Sequence, residues 1–216
     1  IPPAASQSLV STSPHSIVVL GGSFDPVHNG HVAMLEALIK RFTFSQIRVI
    51  PAHRNPHKNG APPGAEPHHR LAMLREAFRE YPTCVIDPCE ALRPGPSYTI
   101  DTITQLRSEY PEANITLVVG ADNLPKLPDW HRFHDLCPLV EWAVFRRPLH
   151  PVEPELQRLS SLEPSFTAPH LIDLDQPASS TEIRARIRNG LLYEHLLPKA
   201  VLLYINTHQL YPKSPR

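Results

Sequence analysis

The 216-residue sequence predicts an α/β fold, a doubly wound and mostly parallel sheet with helices on both faces. Three observations predict it. Short β-branched runs alternate with segments whose apolar residues recur at helical spacing. Glycines directly follow apolar runs, and the 26 prolines fall mainly in the connections.

Ile17-Val18-Val19-Leu20 is the first apolar run, long enough for a buried parallel strand, and Gly21-Gly22 ends it. Val32, Leu35, Leu38, Ile39 and Phe42 then mark a helix that begins near Asn29, read as its cap. Ile47-Arg48-Val49-Ile50 reads as the next strand, followed by a helix over about 67–80, a strand near Val85-Ile86, a helix over about 97–110 and a strand from Ile115 to Val119. Further strands are expected at Trp142-Ala143-Val144-Phe145 and Leu171-Ile172-Asp173-Leu174, with closing helices over about 179–189 and 198–208. The proline-rich stretches 2–14, 51–67, 82–96 and 148–177 are read as loops. Residues 1–15 carry no periodicity and read as a flexible N-terminal extension, leaving 16–216 as a single domain. Right-handed crossovers set the carboxyl ends of the strands along one edge, so the loops after them should converge on one cleft.

Composition narrows the function. Lys plus Arg and Asp plus Glu both count 21, so no broad basic surface for nucleic acid or anionic lipid is expected. No apolar run is long enough to span a bilayer, and the first residues lack the order of a secretory signal. A soluble, cytoplasmic protein without nucleic-acid or membrane partners is expected, its oligomeric state left open. Cys84, Cys89 and Cys137 are odd in number and unclustered, and read as ordinary buried or half-buried thiols.

The most informative stretch is Gly21-Gly22-Ser23-Phe24-Asp25-Pro26-Val27-His28-Asn29-Gly30-His31. A strand-to-helix junction exposes unpaired N–H groups at the positive end of a helix dipole, which favours an anion. His28 and His31 project into the same space, and Gly30 lets phosphate oxygens approach the backbone. An isolated pair of histidines usually sits in a surface turn, but the glycines, the Asp25-Pro26 turn and the preceding strand favour a phosphate site here. The Gly-Lys-Ser/Thr ending of a P-loop, the G-x-G-x-x-G fingerprint and H-E-x-x-H are all missing. In a second string, Ser179-Ser180-Thr181-Glu182-Ile183-Arg184, either serine can cap a helix with Glu182 completing a capping box, while Ser180, Thr181 and Arg184 remain suited to phosphate.

Together these strings resemble the H-x-G-H and S-T-x-x-I-R-type elements of the nucleotidyltransferase superfamily. The chain is most similar to its bacterial nicotinate mononucleotide adenylyltransferase family, from about residue 16 to about 212. Matching strings include Pro56-His57-Lys58, Pro96-Ser97-Tyr98-Thr99, Gly120-Ala121-Asp122-Asn123, Pro128-Asp129-Trp130 and Phe145-Arg146-Arg147-Pro148. The resemblance implies a Rossmann-like nucleotidyltransferase fold and in-line attack by a mononucleotide phosphate on the α-phosphorus of ATP, without a covalent enzyme intermediate. His28, His31 and Arg184 would be catalytic. Gly21, Gly22, Ser23, Phe24, Gly30, Gly120, Ser180 and Thr181 would bind ATP, and Mg2+ would accompany it without a dedicated set of protein ligands.

For the acceptor, nicotinate mononucleotide, Trp130 resembles the family's stacking aromatic. Thr99 offers a hydroxyl and helix-start N–H groups for the ring carboxylate, Asp122 would hold a ribose hydroxyl, and His57, Lys58 and Arg147 would sit near the acceptor phosphate. His131 replaces the tyrosine frequent in the family, and the loop from Asn59 to Pro67 departs from its pattern. Two rivals are weighed: a nucleotidyltransferase with another acceptor, such as a pantetheine-phosphate adenylyltransferase or a cytidylyltransferase, against which Trp130 with Pro96 to Thr99 argues, and a non-catalytic nucleotide-binding protein, against which the intact His28, His31 and Arg184 set argues.

Overall fold

Continuous burial along the apolar runs, on both faces of the central strands, sets the architecture. A computed structural model of the chain describes residues 16–54, 56, 64–146, 151–175 and 178–212. The extension read at 1–15 lies outside the described residues. Six strands, β1 (Ser16–Gly22), β2 (Gln46–Pro51), β3 (Cys84–Ile86), β4 (Asn114–Gly120), β5 (Glu141–Arg146) and β6 (His170–Asp173), form one sheet in the order β3-β2-β1-β4-β5-β6. Every pairing is parallel, with Val19 opposite Arg48 on one side and Leu117 on the other. The order reverses between β1 and β4, which opens a crevice at the carboxyl ends of those two strands.

The helices are α1 (Asn29–Arg41), α2 (Pro67–Phe78), α3 (Cys89–Leu92), α4 (Thr99–Glu109), α5 (Phe133–Leu136), α6 (Glu153–Leu162), α7 (Ser180–Arg188) and α8 (Lys199–Thr207). They divide between the two faces because successive strand residues point to opposite sides. Ile17 and Val19 pack with Leu117, Trp142 and Val144 under α4, α5 and α6. Val18 and Leu20 pack with Val49, Ala143 and Phe145 under α1, α2, α7 and α8. Both faces being covered, all four residues Ile17–Leu20 are buried, worth about 1.5–3 kcal/mol for each large side chain.

Two local readings need correction, and one segment without a reading takes a regular form. Helix α1 is capped by His28 rather than Asn29, which is its first helical residue. Helix α6 lies inside the stretch 148–177 read as loop; its proline, Pro154, sits in the first turn, where a missing N–H costs nothing. The segment Ala121–Asp129 after β4 winds as a 3-10 helix carrying Pro125 and Pro128, and ends at Trp130.

Candidate active site

A cleft of about 390 Å³ lies at the carboxyl ends of β1 and β4, where the strand order reverses. At one end it is lined by the glycine-histidine turn and the start of α7. At the other it is lined by the start of α4, Asp122, Trp130 and His131.

The turn owes its shape to side chains that satisfy backbone groups. His28 and His31 form a reciprocal capping box at the start of α1, in which His28 N–H donates to His31 Nδ1 at 3.2 Å. With Nδ1 accepting, the neutral His31 ring carries its proton on Nε2, a donor suited to an anion. The two rings stack with centroids 3.8 Å apart, and Phe24 meets His31 edge-on at 4.8 Å. A Cβ on Gly30 would lie 3.0 Å from the His28 ring, so glycine here makes room for the imidazole as well as for a ligand. His28 is 5% exposed, held by the fold rather than by solvent contacts.

Beneath the turn, Asp25 is 2% exposed and acts as a junction. Its carboxylate accepts from Gly64 N–H (2.6 Å), Ala65 N–H (3.0 Å) and the Tyr211 hydroxyl (2.7 Å). Burial and the adjacent carboxylate push the Tyr211 phenol far up, so it remains a donor. Arg70, wholly buried, donates to Ser23 O (2.9 Å), Ala52 O (2.7 Å) and Ala65 O (3.2 Å), and so binds the turn to the loop after β2.

Helix α7 approaches from the other side. Ser179 caps it by accepting from Glu182 N–H at 3.2 Å. The Glu182 carboxylate does not complete the expected box but pairs with Arg186 at 2.8 Å. Ser180 donates to Pro26 O at 2.9 Å, which joins the helix start to the histidine turn.

Apart from Arg184, every described residue expected in the site lines this one cleft: His28, His31, Gly21, Gly22, Ser23, Phe24, Gly30, Gly120, Ser180, Thr181, Thr99, Asp122, Trp130 and His131. Arg184 lies behind it, donating to Asp25 O at 2.5 Å and to Thr181 Oγ1 at 3.4 Å. His57, Lys58 and Arg147, and most of the loop from Asn59 to Pro67, lie outside the described residues. At Gly120 a Cβ would overlap Asp122 Oδ1, so the glycine is what lets that carboxylate fold back over the strand end. Trp130 is half-buried, packed on the core and facing the cleft. His131 lies tilted against Tyr98, with ring centroids 4.2 Å apart.

The sequence reading missed Glu90, Ser97, Tyr98 and Thr102, all of which line the cleft. Only Tyr98 and Ser97 had a signal, since they belong to the quoted Pro-Ser-Tyr-Thr string. Among the described residues, no group of three or more His, Cys, Asp or Glu side chains is arranged to hold a metal ion.

Comparison with known proteins gives a consistent result. The chain matches the cytidylyltransferase-like family over residues 19–186. It is 35% identical to a probable nicotinate-nucleotide adenylyltransferase of Gemmatimonas aurantiaca, over 92% of this chain and 93% of that protein. It is likewise 35% identical to one of Bacillus pumilus, over 90% and 97%. Among solved structures it is similar to Plasmodium falciparum nicotinic acid mononucleotide adenylyltransferase complexed with NaAD. The TM-score is 0.75 at 18% identity, covering 93% of this chain and 98% of that one.

Proposed function

Since the chain belongs to the cytidylyltransferase-like family and, within it, to the nicotinate-nucleotide adenylyltransferases, we propose that it makes nicotinate adenine dinucleotide and pyrophosphate from ATP and nicotinate mononucleotide. A phosphate oxygen of the mononucleotide attacks the α-phosphorus of ATP. The bond from that phosphorus to the oxygen bridging to the β-phosphate breaks, and pyrophosphate leaves opposite the attacking atom. Such a reaction asks the protein to align two anions and to neutralise the charge that builds on the leaving group.

One observation supports this reading above the others: the histidine turn and the start of α7 line the same cleft as Thr99, Asp122 and Trp130. In the proposal, His28 and His31 donate to the α-phosphate and the leaving group. Ser180, Thr181 and the α7 N–H groups take the β- and γ-phosphates, with the Arg184 charge behind them. Gly21, Gly22, Ser23, Phe24, Gly30 and Gly120 shape the ATP side. Trp130 stacks on the nicotinate ring, Thr99 and His131 lie by its carboxylate, and Asp122 holds a ribose hydroxyl. His57, Lys58 and Arg147 are proposed at the acceptor phosphate from the sequence alone. Mg2+ is proposed to arrive on ATP, held by phosphate oxygens and water and neutralising leaving-group charge. The cytoplasmic location expected from the sequence stays part of the proposal.

Pyrophosphate release measured with ATP and a panel of acceptors tests this. Release with nicotinate mononucleotide is expected. Release with phosphopantetheine alone would move the chain to the rival transferase, and ATP binding without turnover on any acceptor would make it a binding protein.

A further inference from the structure

Glu90 is buried, 8% exposed, on the short helix α3, yet it reaches the acceptor end of the cleft. One hydroxyl donates to its carboxylate. Thr102 of α4, 1% exposed, donates to Glu90 Oε1 at 2.6 Å and accepts from Arg93 Nη2 at 2.9 Å. Ser97, 7% exposed, lines the cleft as well; its Oγ accepts from His53 N–H at 2.9 Å, and its hydroxyl, like that of Thr102, draws the Glu90 carboxyl down against the effect of burial. An apolar residue at 90 would strand the buried Thr102 hydroxyl, and a glutamine would remove the charge that strengthens its bond.

The network joins three segments that are distant in sequence. Ser97 N–H donates to Arg54 O at 2.9 Å, and His53 Nδ1 lies 3.1 Å from Ala91 O. The loop after β2 is thus tied to helix α3 and to the start of α4, while the Glu90 carboxylate ties α3 to α4 through Thr102. That start carries Tyr98 and Thr99 into the cleft, and the Tyr98 ring lies tilted against His131 beside Trp130.

We propose that Glu90 is a positioning residue for the acceptor mononucleotide, locking Tyr98 and Thr99 at the acceptor end of the cleft through the Thr102 hydroxyl that it shares with Arg93. Burial pushes the Glu90 carboxyl up, against the two hydroxyls and Arg93, so the fold keeps an acid here at a cost that mere packing would not justify. The inference rests on the adenylyltransferase reading, because it takes the Trp130 end of the cleft as the acceptor's end.

Steady-state kinetics of the full chain, with each substrate varied in turn, test it. Glu90→Gln is expected to raise the acceptor KM about tenfold, the size of one charge-assisted hydrogen bond lost, with the ATP KM within about twofold. Glu90→Ala is expected to raise it at least as far. If either variant fails to fold, Thr102→Val, which removes the hydroxyl that donates to Glu90, should give the same split. An unchanged acceptor KM, or equal rises in both KM values, overturns the proposal. If the wild type uses a different acceptor, the functional reading fails, and the KM for that acceptor carries the same test of Glu90.

Discussion

Replacing Asp25 by asparagine probes the junction on which the phosphate turn stands. The carboxylate holds three donors at 2.6–3.0 Å, with Arg184 Nη1 at 3.4 Å from Oδ2. An asparagine amide must aim its NH2 either at Gly64 N–H or at Ala65 N–H and the Tyr211 hydroxyl, so at least one donor meets a donor. Losing a hydrogen bond to a charged acceptor costs about 1.5–3 kcal/mol. The substitution also removes the charge that offsets the wholly buried Arg70, whose guanidinium feels Asp25 as its largest favourable partner. The carboxylate's own ion pair, with Arg184, is partly exposed and so falls below the ~3–5 kcal/mol of a fully buried pair broken from one side; as the terms overlap, the total is put at about 4 kcal/mol. For a chain of this size each kcal/mol lowers Tm by about 2–4 °C, giving a drop of about 8–16 °C. Thermal unfolding followed by circular dichroism at pH 7 reads it directly, with Tyr211→Phe as the single-bond reference, expected to lower Tm by about 3–6 °C. A drop under about 3 °C for Asp25→Asn would show that the buried carboxylate is not the anchor described.

Further outcomes follow from the same geometry. His31→Ala should lower kcat by about 10²–10³, the usual loss for one donor aimed at developing charge. Because the ring also accepts from the His28 N–H, Tm should fall by only about 2–4 °C; normal turnover, or an unfolded protein, would contradict the role. His69 of α2 faces Tyr204 and His208 from α8 and its cap, with His68 and Glu66 on its own side, and burial together with the two histidines lowers its pKa. The folded state then binds fewer protons than the unfolded one, so its contribution to stability is present above about pH 6.5 and is lost as pH falls through the lowered value. Tm measured from pH 8 to pH 5 should fall more for the wild type than for His69→Gln, and parallel curves would remove His69 from the account.

The parts of this structure that were legible in the sequence are those written in local pattern. The β-branched runs at 17–20, 47–50 and 115–119 read as strands and are strands, and the glycines after two of them line the cleft. Helix α6 was hidden because Pro154 resembles a breaker unless its place in the first turn is known. Glu90 was hidden for a different reason. Its meaning comes from a hydroxyl 12 residues away that meets it only when α3 packs against α4, and no local spacing encodes that meeting. The same holds for Asp25, legible as a turn residue before a proline, whose partner Tyr211 lies 186 positions on. Arg184 was placed by its motif on the right helix, but its contacts with Asp25 depend on which way the guanidinium turns, and sequence does not specify a rotamer.

The account turns on a single triphosphate held between the two ends of the chain. A crystal structure of the protein with a non-hydrolysable ATP analogue and Mg2+ measures this most directly. It should contain the α-phosphate within hydrogen-bond reach of His28 or His31, and the β- and γ-phosphates at the N–H groups of Ser180 and Thr181. An analogue seated away from either group, with the histidine turn or the start of α7 left without phosphate contact, would contradict it.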